Sequence, residues 1–433
     1  MTNSVWTETA QTPNFPALEK GVKTDVLIIG GGLAGLLCAY MLDKQNVDYV
    51  LIEEKTICGG ITKNTTAKIT SQHSLIYYDL IKKFGVEKAR LYLEANQSAL
   101  KTYQKLCRKI NCDFEEKSAF VYSLKDGHKI EKELFALDKI GFPAKFVSTL
   151  PLPFPVFGAV EFEKQAQFHP LKFAYSIAQG LRIYENTKAL EFLPDKVITD
   201  KGAIKAKKII VATHFPLLNK HGLYFMKMFQ HRSYVLGLKN APQVNGMYLD
   251  ENEKGLSFRN HNDLLLLGGG SHRTGEKGGN WTELRAVAET YYPNAEIAYE
   301  WATQDCMTLD GVPYIGRYSK NTPNLYVATG FNKWGMTSSM VAAQILSDMV
   351  LEKDNPYAEL FSPLRSMLRA QLFVNTAKTL LNLLTPTTPR CPHLGCALKY
   401  NPQEHSWDCP CHGSRFTEDK KVIDNPATGD IKK

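Results

Sequence analysis

Residues 25–53, DVLIIGGGLAGLLCAYMLDKQNVDYVLIE, constrain the fold more than any other stretch of this 433-residue chain. An apolar run, Val26 to Ile29, has strand character and meets Gly30-Gly31-Gly32-Leu33-Ala34-Gly35, which is G-x-G-x-x-G. A helical pattern follows through Leu36, Leu37, Tyr40 and Met41. A second apolar run, Tyr49 to Ile52, ends in Glu53, 18 residues past the last motif glycine. Each part has a physical task. Gly30 permits the tight turn, Gly32 lets the backbone approach a pyrophosphate, and Gly35 lets helix and strand pack closely. The helix N-terminus offers free N–H groups and a positive dipole end to phosphates. Glu53 can accept hydrogen bonds from ribose hydroxyls. A lone glycine motif is weak evidence. Strand, helix, second strand and terminal acid in register predict a dinucleotide-binding α/β unit.

The motif alone does not separate FAD from NAD. Residues 207–214, KKIIVATH, form an apolar strand ending in small residues, Ala212 among them. Residues 324–330, NLYVATG, do the same and lead through FNKWGMTSS into the helical VAAQILSDMV. Strands returning at such distances predict a nucleotide domain interrupted by a second domain. Gly330 and Gly335 fit a turn that brings the backbone against a ring, with the next helix's N-terminus pointing at it. The stretch LLLLGGGSHRTGEKGG, 264–279, resembles another nucleotide loop, but Arg273 stands at the third glycine position and no apolar helix follows. It reads as a strand entering a loop of the substrate domain. Without a second good fingerprint, a reductase with its own nicotinamide domain is disfavoured.

Composition sets the class. Hydrophobic content of 44% and charged content of 22% are ordinary for a soluble globular protein. No run reaches the roughly 18 apolar residues of a membrane span, and the first residues lack a basic start followed by an apolar run, so a cytoplasmic protein is expected. The net charge is +8, with lysines scattered rather than gathered in an arm. A solvated basic surface is the plain reading; a docking face for an acidic redox partner is the other. No nucleic-acid-binding signature is present. Cys38, Cys58, Cys107, Cys112 and Cys306 are irregularly spaced and read as free, mostly buried thiols.

The remaining four of nine cysteines lie in CPHLGCALKYNPQEHSWDCPCHGSRF, residues 391–416, with three of eleven histidines. Cys391-x-His393 is followed, after fifteen residues, by Cys409-x-x-His412. Zinc fingers usually pair ligands of one type. Here each pair mixes a thiolate with an imidazole, which suits a [2Fe–2S] centre with two cysteines on one iron and two histidines on the other. Upstream, residues 352–388 read as a loop, an amphipathic helix and a Pro/Thr linker. Leu372, Phe373, Leu380, Leu381 and Leu384 suit a helix lying on another surface.

Two family resemblances follow from these residues. The N-terminal motif, GGITKNTTAKIT, IIVATH and LDGVPYIG…NLYVATGFNKWGMT together resemble the D-amino-acid-oxidase-like family of FAD-dependent oxidoreductases. CPHLGC and CPCHGS resemble the two boxes of the Rieske family. The resemblance implies FAD bound by Gly30, Gly32, Gly35 and Glu53, with Thr65 and Thr66 near the pyrophosphate or flavin. Ala212 joins this set, and Gly330, Gly335, Met336 and Thr337 lie by the isoalloxazine ring. It also implies Cys391 and Cys409 on one iron, His393 and His412 on the other, a disulfide between Cys396 and Cys411, and a Ser414 hydroxyl on a bridging sulfide. A full Rieske domain carries a base of strands before its first box. That base is missing from the sequence here, so the tail is expected to borrow a core.

The expected fold is mixed α/β. An FAD-binding Rossmann-like domain (about 22–80, 160–215 and 305–351, within 1–351) is interrupted by a sheet-based substrate domain (about 81–159 and 216–304). The linker is 352–388 and the Rieske-type subdomain 389–433. Catalytic candidates are His73, Arg232, Tyr234 and Lys333, with Trp334 beside the flavin turn. His73 could equally be structural. Arg232 could hold a substrate carboxylate bidentately or make an interdomain salt bridge. The implied enzyme oxidises a small amine or amino acid by hydride transfer to FAD and passes electrons through the cluster to a one-electron carrier, ferredoxin- or flavodoxin-like. The rivals are a reductase or monooxygenase taking electrons in through the cluster, and a redox sensor without turnover of a small substrate.

Overall fold

The computed structural model describes residues 3–218, 221–386 and 389–432; Thr387 and Thr388, at the end of the Pro/Thr linker, lie outside the described residues. Val22–Ile29 is an inner strand of an eight-stranded sheet. Its last four residues are apolar on both faces and all buried, as a covered parallel strand requires. It pairs in parallel with Tyr49–Ile52 on one side and Gly202–Val211 on the other. Leu325–Thr329 extends the sheet in parallel beyond Gly202–Val211, and Ile183–Tyr184 lies beyond Tyr49–Ile52. Helix Leu33–Asp43 starts just after the glycine turn and packs against helix Gly335–Val350. A Cβ on Gly35 would sit 1.9 Å from the Gly30 carbonyl oxygen, so helix and strand can approach this closely only with glycine there.

A nine-stranded sheet forms the second layer. Its main path runs Glu296–Thr308, Met228–Lys239, Leu264–Arg273, Ser257–His261, Met247–Asp250, Glu115–Ser123, Gly158–Gln167 and Lys68–Ile69. The second glycine-rich stretch is the strand Leu264–Arg273, buried along its whole length; a helix, Asn280–Tyr291, follows its loop. The domain bounds shift where sheet pairing decides. Gly158–Gln167, placed by sequence partly in the cofactor region, pairs with Glu115–Ser123 in the second sheet. Glu296–Thr308, whose end was placed there too, pairs along its length with Met228–Lys239.

Among the described residues no strand lies between Leu351 and Cys391, and the small sheet of the C-terminal segment follows the first box. Four three-residue strands, Lys399–Asn401, Ser406–Asp408, Arg415–Thr417 and Val422–Asp424, form an antiparallel sheet. Its core is small: Leu398, Phe416, Ala427 and Ile431 around the four cysteines. The segment also leans on the larger body. Arg273 donates to the Pro410 carbonyl through Nε at 3.2 Å and to the Cys411 carbonyl through Nη2 at 3.1 Å. The linker helix is Ala370–Leu384, but only Leu372 and Asn375 in it are buried. Phe373 and Leu384 are 68% and 80% exposed, so the apolar face expected to lie on another surface is largely uncovered. Among the described residues no helix is long and apolar enough to cross a membrane.

Candidate active site and cluster centre

A cavity of about 1000 Å³ is lined by residues of all three sheets. At one part the glycine turn and Glu53 form its wall. Gly30 has φ +109°, and a Cβ there would meet the Ala212 carbonyl oxygen at 2.6 Å. By contrast, a Cβ on Gly32 would meet nothing nearer than Thr62 Oγ1 at 3.6 Å, so that backbone faces open space where a ligand can approach. Glu53 accepts from the Gly31 N–H at 2.8 Å and the Lys55 N–H at 2.9 Å. Burial pushes its carboxyl upward against those two bonds. Thr65, Thr66, Ala212, Gly330, Gly335 and Met336 line the same cavity. Gly35 and Thr337 stand behind it: Gly35 sets the close packing, and Thr337 Oγ1 accepts from the Thr70 N–H and donates to the Thr70 carbonyl. The glycine cradle, the open backbone at Gly32 and a long cavity fit an FAD-sized dinucleotide.

The catalytic candidates separate clearly. His73 is fully occupied: Nδ1 pairs with Tyr92 Oη at 2.6 Å and Nε2 with the Thr70 carbonyl at 2.7 Å. Only Nε2–H can serve the carbonyl, so Nδ1 accepts from the phenol. Burial pushes its pKa down to about 3, and its ring stacks on Trp334 at 4.8 Å. It is a structural post. Lys333 has left-handed backbone, φ +72°, and its Nζ lies 3.4 Å from Ser271 Oγ. Burial lowers its pKa, against the pull of Asp305 and Glu253. Asp305 is pushed up to about 6 by burial, opposed by Lys333 and Arg232. Arg232 and Tyr234 share one strand face, and both bind Glu404 of the C-terminal sheet.

The second centre lies where the two sequence boxes meet. Cys391 and Cys409 are in hydrogen-bond contact; this bond holds Cys391 down at about 7 despite burial, helped by Ser414, and drives Cys409 up. The His393 and His412 rings face each other edge-on with centroids 5.1 Å apart. His412 Nδ1 is buried with no hydrogen-bond partner among the described residues. Two adjacent thiols, two adjacent imidazoles and an orphaned ring nitrogen fit a cluster with Cys₂ and His₂ irons. Cys396 and Cys411 are joined by a disulfide. Their sulfurs also cluster with that of Cys409, but two of those three are spent on each other. Cys38, Cys58, Cys107, Cys112 and Cys306 are free.

The two centres share a wall. Gln230 Nε2 donates to the His412 and Asn425 carbonyls, both at 2.9 Å. Gln304 Nε2 donates to the Gly413 carbonyl at 2.9 Å and to Gln230 Oε1 at 2.7 Å. Asn425 Nδ2 donates to the Thr213 carbonyl at 2.7 Å, and Thr213 lines the cavity beside Ala212.

The pattern of the FAD dependent oxidoreductase family matches residues 25–349. The chain belongs to that family. The Rieske [2Fe-2S] domain pattern matches residues 377–433, so the chain binds both FAD and a [2Fe–2S] cluster. It is 37% identical to the Bacillus subtilis (strain 168) protein YhfW, named a Rieske 2Fe-2S iron-sulfur protein, over 99% of this chain and 96% of that one. It is 23% identical to gamma-glutamylputrescine oxidoreductase of Escherichia coli (strain K12), over 78% and 85% of the two chains. Glycine oxidase from Geobacillus kaustophilus has the same fold, with a TM-score of 0.67 and 19% identity over 79% of this chain and 99% of that one.

Two carboxylates of the cavity wall, Asp305 within Glu296–Thr308 and Glu404 next to His405, belong to no sequence motif. Sheet register alone brings Asp305 opposite His231, and docking of the small sheet alone brings Glu404 to Arg232. His405 is exposed and pairs with Glu418, away from the cluster.

Proposed function

We propose that this oxidoreductase takes a hydride from the carbon of a C–N bond in a small amine or amino acid, and that the electrons leave through the C-terminal subdomain to a one-electron carrier, ferredoxin- or flavodoxin-like, in the cytoplasm. Bound FAD supplies the hydride acceptor, and the [2Fe–2S] cluster supplies a one-electron outlet. Gly30, Gly32 and Glu53 hold the dinucleotide end, with Thr65, Thr66 and Ala212 along it. Gly330, Gly335 and Met336 flank the ring, and Cys391, His393, Cys409 and His412 hold the cluster. Asp305, poised near neutrality, is placed to take the ammonium proton, which frees the lone pair that drives hydride departure. His73 is neutral and doubly bonded, so it positions Trp334 and moves no proton.

The observation that supports this reading is the shared wall. Gln230 touches the cluster loop at His412 and, through Asn425, the cavity wall at Thr213. The test is anaerobic: the holoprotein is mixed with a panel of small amines and the flavin absorbance is followed. A substrate bleaches the flavin without oxygen. A protein that no amine bleaches, but that a reduced ferredoxin does, runs in the opposite direction and refutes the proposal.

A further inference from the structure

Glu404 reaches into the cavity from the turn between Lys399–Asn401 and Ser406–Asp408, and the turn is preset. Asn401 Oδ1 accepts from the N–H groups of Gln403 at 3.1 Å and Glu404 at 3.3 Å. The carboxylate spans the guanidinium of Arg232, with Nε 3.0 Å from Oε1 and Nη2 on Oε2. Tyr234 Oη donates to Oε1 at 2.9 Å, and Arg415 Nη2 to Oε2 at 2.8 Å. The Arg232 and Glu404 side chains are 4% and 9% exposed. Burial alone would raise the Glu404 pKa, but Arg232 and Arg415 hold it at about 2. The group is therefore an anion throughout the working pH range.

A guanidinium fork with a phenol beside it, on one strand face lining the cavity, is a seat for a planar carboxylate. In this chain the carboxylate arrives from a residue 172 positions away. The second guanidinium at the seat, Arg415, is also committed, to Asp408 at 3.0 Å and Asp424 at 3.2 Å. Lys333, the nearby ammonium, lies 3.4 Å from Ser271 Oγ. Both guanidiniums at the seat, Arg232 and Arg415, are paired with carboxylates of the chain's own.

We infer that Glu404 fills the carboxylate seat of the cavity in cis, so that the substrate is a small amine with no carboxylate beside its reacting C–N bond. Glu404 and Arg232 then determine specificity by exclusion. An amino acid would have to displace a buried carboxylate held by two arginines and a tyrosine to bind, and a plain amine would not. This rests on the reading of the cavity as an amine-oxidation site and narrows its substrate class.

The test uses the holoprotein with FAD and cluster in place, and acetate and benzoate as probes with chloride as the control. Flavin absorption and melting temperature are the readouts. The wild type is expected to ignore both carboxylates. Glu404→Ala is expected to gain saturable binding, seen as a flavin band shift and a rise of several degrees in melting temperature. Glu404→Gln keeps the seat sterically filled and is expected to bind neither probe. Saturable carboxylate binding by the wild type, lost in Arg232→Lys, overturns the inference. So does a Glu404→Ala protein with full FAD and iron that ignores both probes. If the alanine variant does not fold, the wild-type titration decides alone. None of these readouts needs turnover, so an enzyme that oxidises no amine would sink the proposed activity and leave the seat to be judged separately.

Discussion

Gly413→Ala tests how the cluster loop is held. Gly413 has φ +90°, and an ideal Cβ there lies 2.5 Å from Gln230 Cβ and 2.8 Å from its Cγ. Gln230 cannot simply swing aside. It donates to His412 and Asn425 and accepts from Gln304, so moving it breaks buried hydrogen bonds worth roughly 1 kcal/mol each. Left-handed backbone adds about 1 kcal/mol for alanine, and forced overpacking typically adds about 1–3 kcal/mol. With one such bond lost, these give about 3–5 kcal/mol against the docked loop, or roughly two to three and a half orders of magnitude in its occupancy, at about 1.4 kcal/mol per decade. Gly395→Ala is the matched control. Its φ is +80°, but its Cβ would meet nothing closer than Leu383 Cδ2 at 3.9 Å, so it carries the backbone term alone, about 1 kcal/mol. The assay is iron per FAD after purification, with limited proteolysis to read docking. Gly413→Ala should lose iron and expose the C-terminal segment, while Gly395→Ala keeps both nearly unchanged. Equal behaviour of the two variants would refute the claim that contact with Gln230 holds the loop.

Other outcomes follow from the same geometry. Cys409→Ser should remove iron and leave FAD bound, measured by metal analysis and flavin absorbance; joint loss of both would mean that the sites are not separable. Gly35→Ala forces a methyl to within 1.9 Å of the Gly30 carbonyl and should abolish FAD binding, with the protein recovered flavin-free or insoluble. His73 is buried neutral, with its pKa pushed down to about 3 by burial, against about 6.5 unfolded. Its contribution is complete above about pH 6.5 and is lost as pH falls toward 3, at up to about 1.4 kcal/mol per unit. His73→Asn should flatten urea-unfolding stability between pH 6.5 and 4; an unchanged slope would contradict the assignment.

The parts legible in the sequence are those written in contiguous residues. The glycine cradle, Glu53, the returning strands and the two cluster boxes all depend on spacings of a few residues, and the structure sets them where that spacing implies. The resemblance to known boxes carried the Cys396–Cys411 pairing. What was illegible depends on contacts between distant segments. Three-residue strands such as Ser406–Asp408 are too short to show alternation, so the small sheet under the cluster escaped notice. The helix Ala370–Leu384 has an amphipathic pattern, but pattern says only that a face is apolar, not that anything covers it. Arg232 read equally as a substrate clamp or an interdomain bridge, because its partner Glu404 arrives only when two sheets dock. Gln230 and Gln304, the contacts that join the centres, are ordinary polar residues on buried strands until the cluster loop is laid against them.

The most direct test of the account is electron paramagnetic resonance on anaerobic holoprotein frozen at intervals after mixing with a bleaching amine, with iron and FAD counted on the same sample. The account predicts one FAD and two irons per chain, loss of flavin absorbance, and then the signal of a reduced cluster with the low average g of histidine ligation. Flavin that bleaches while the iron stays oxidised and silent would contradict the claim that the C-terminal subdomain is the outlet for the electrons.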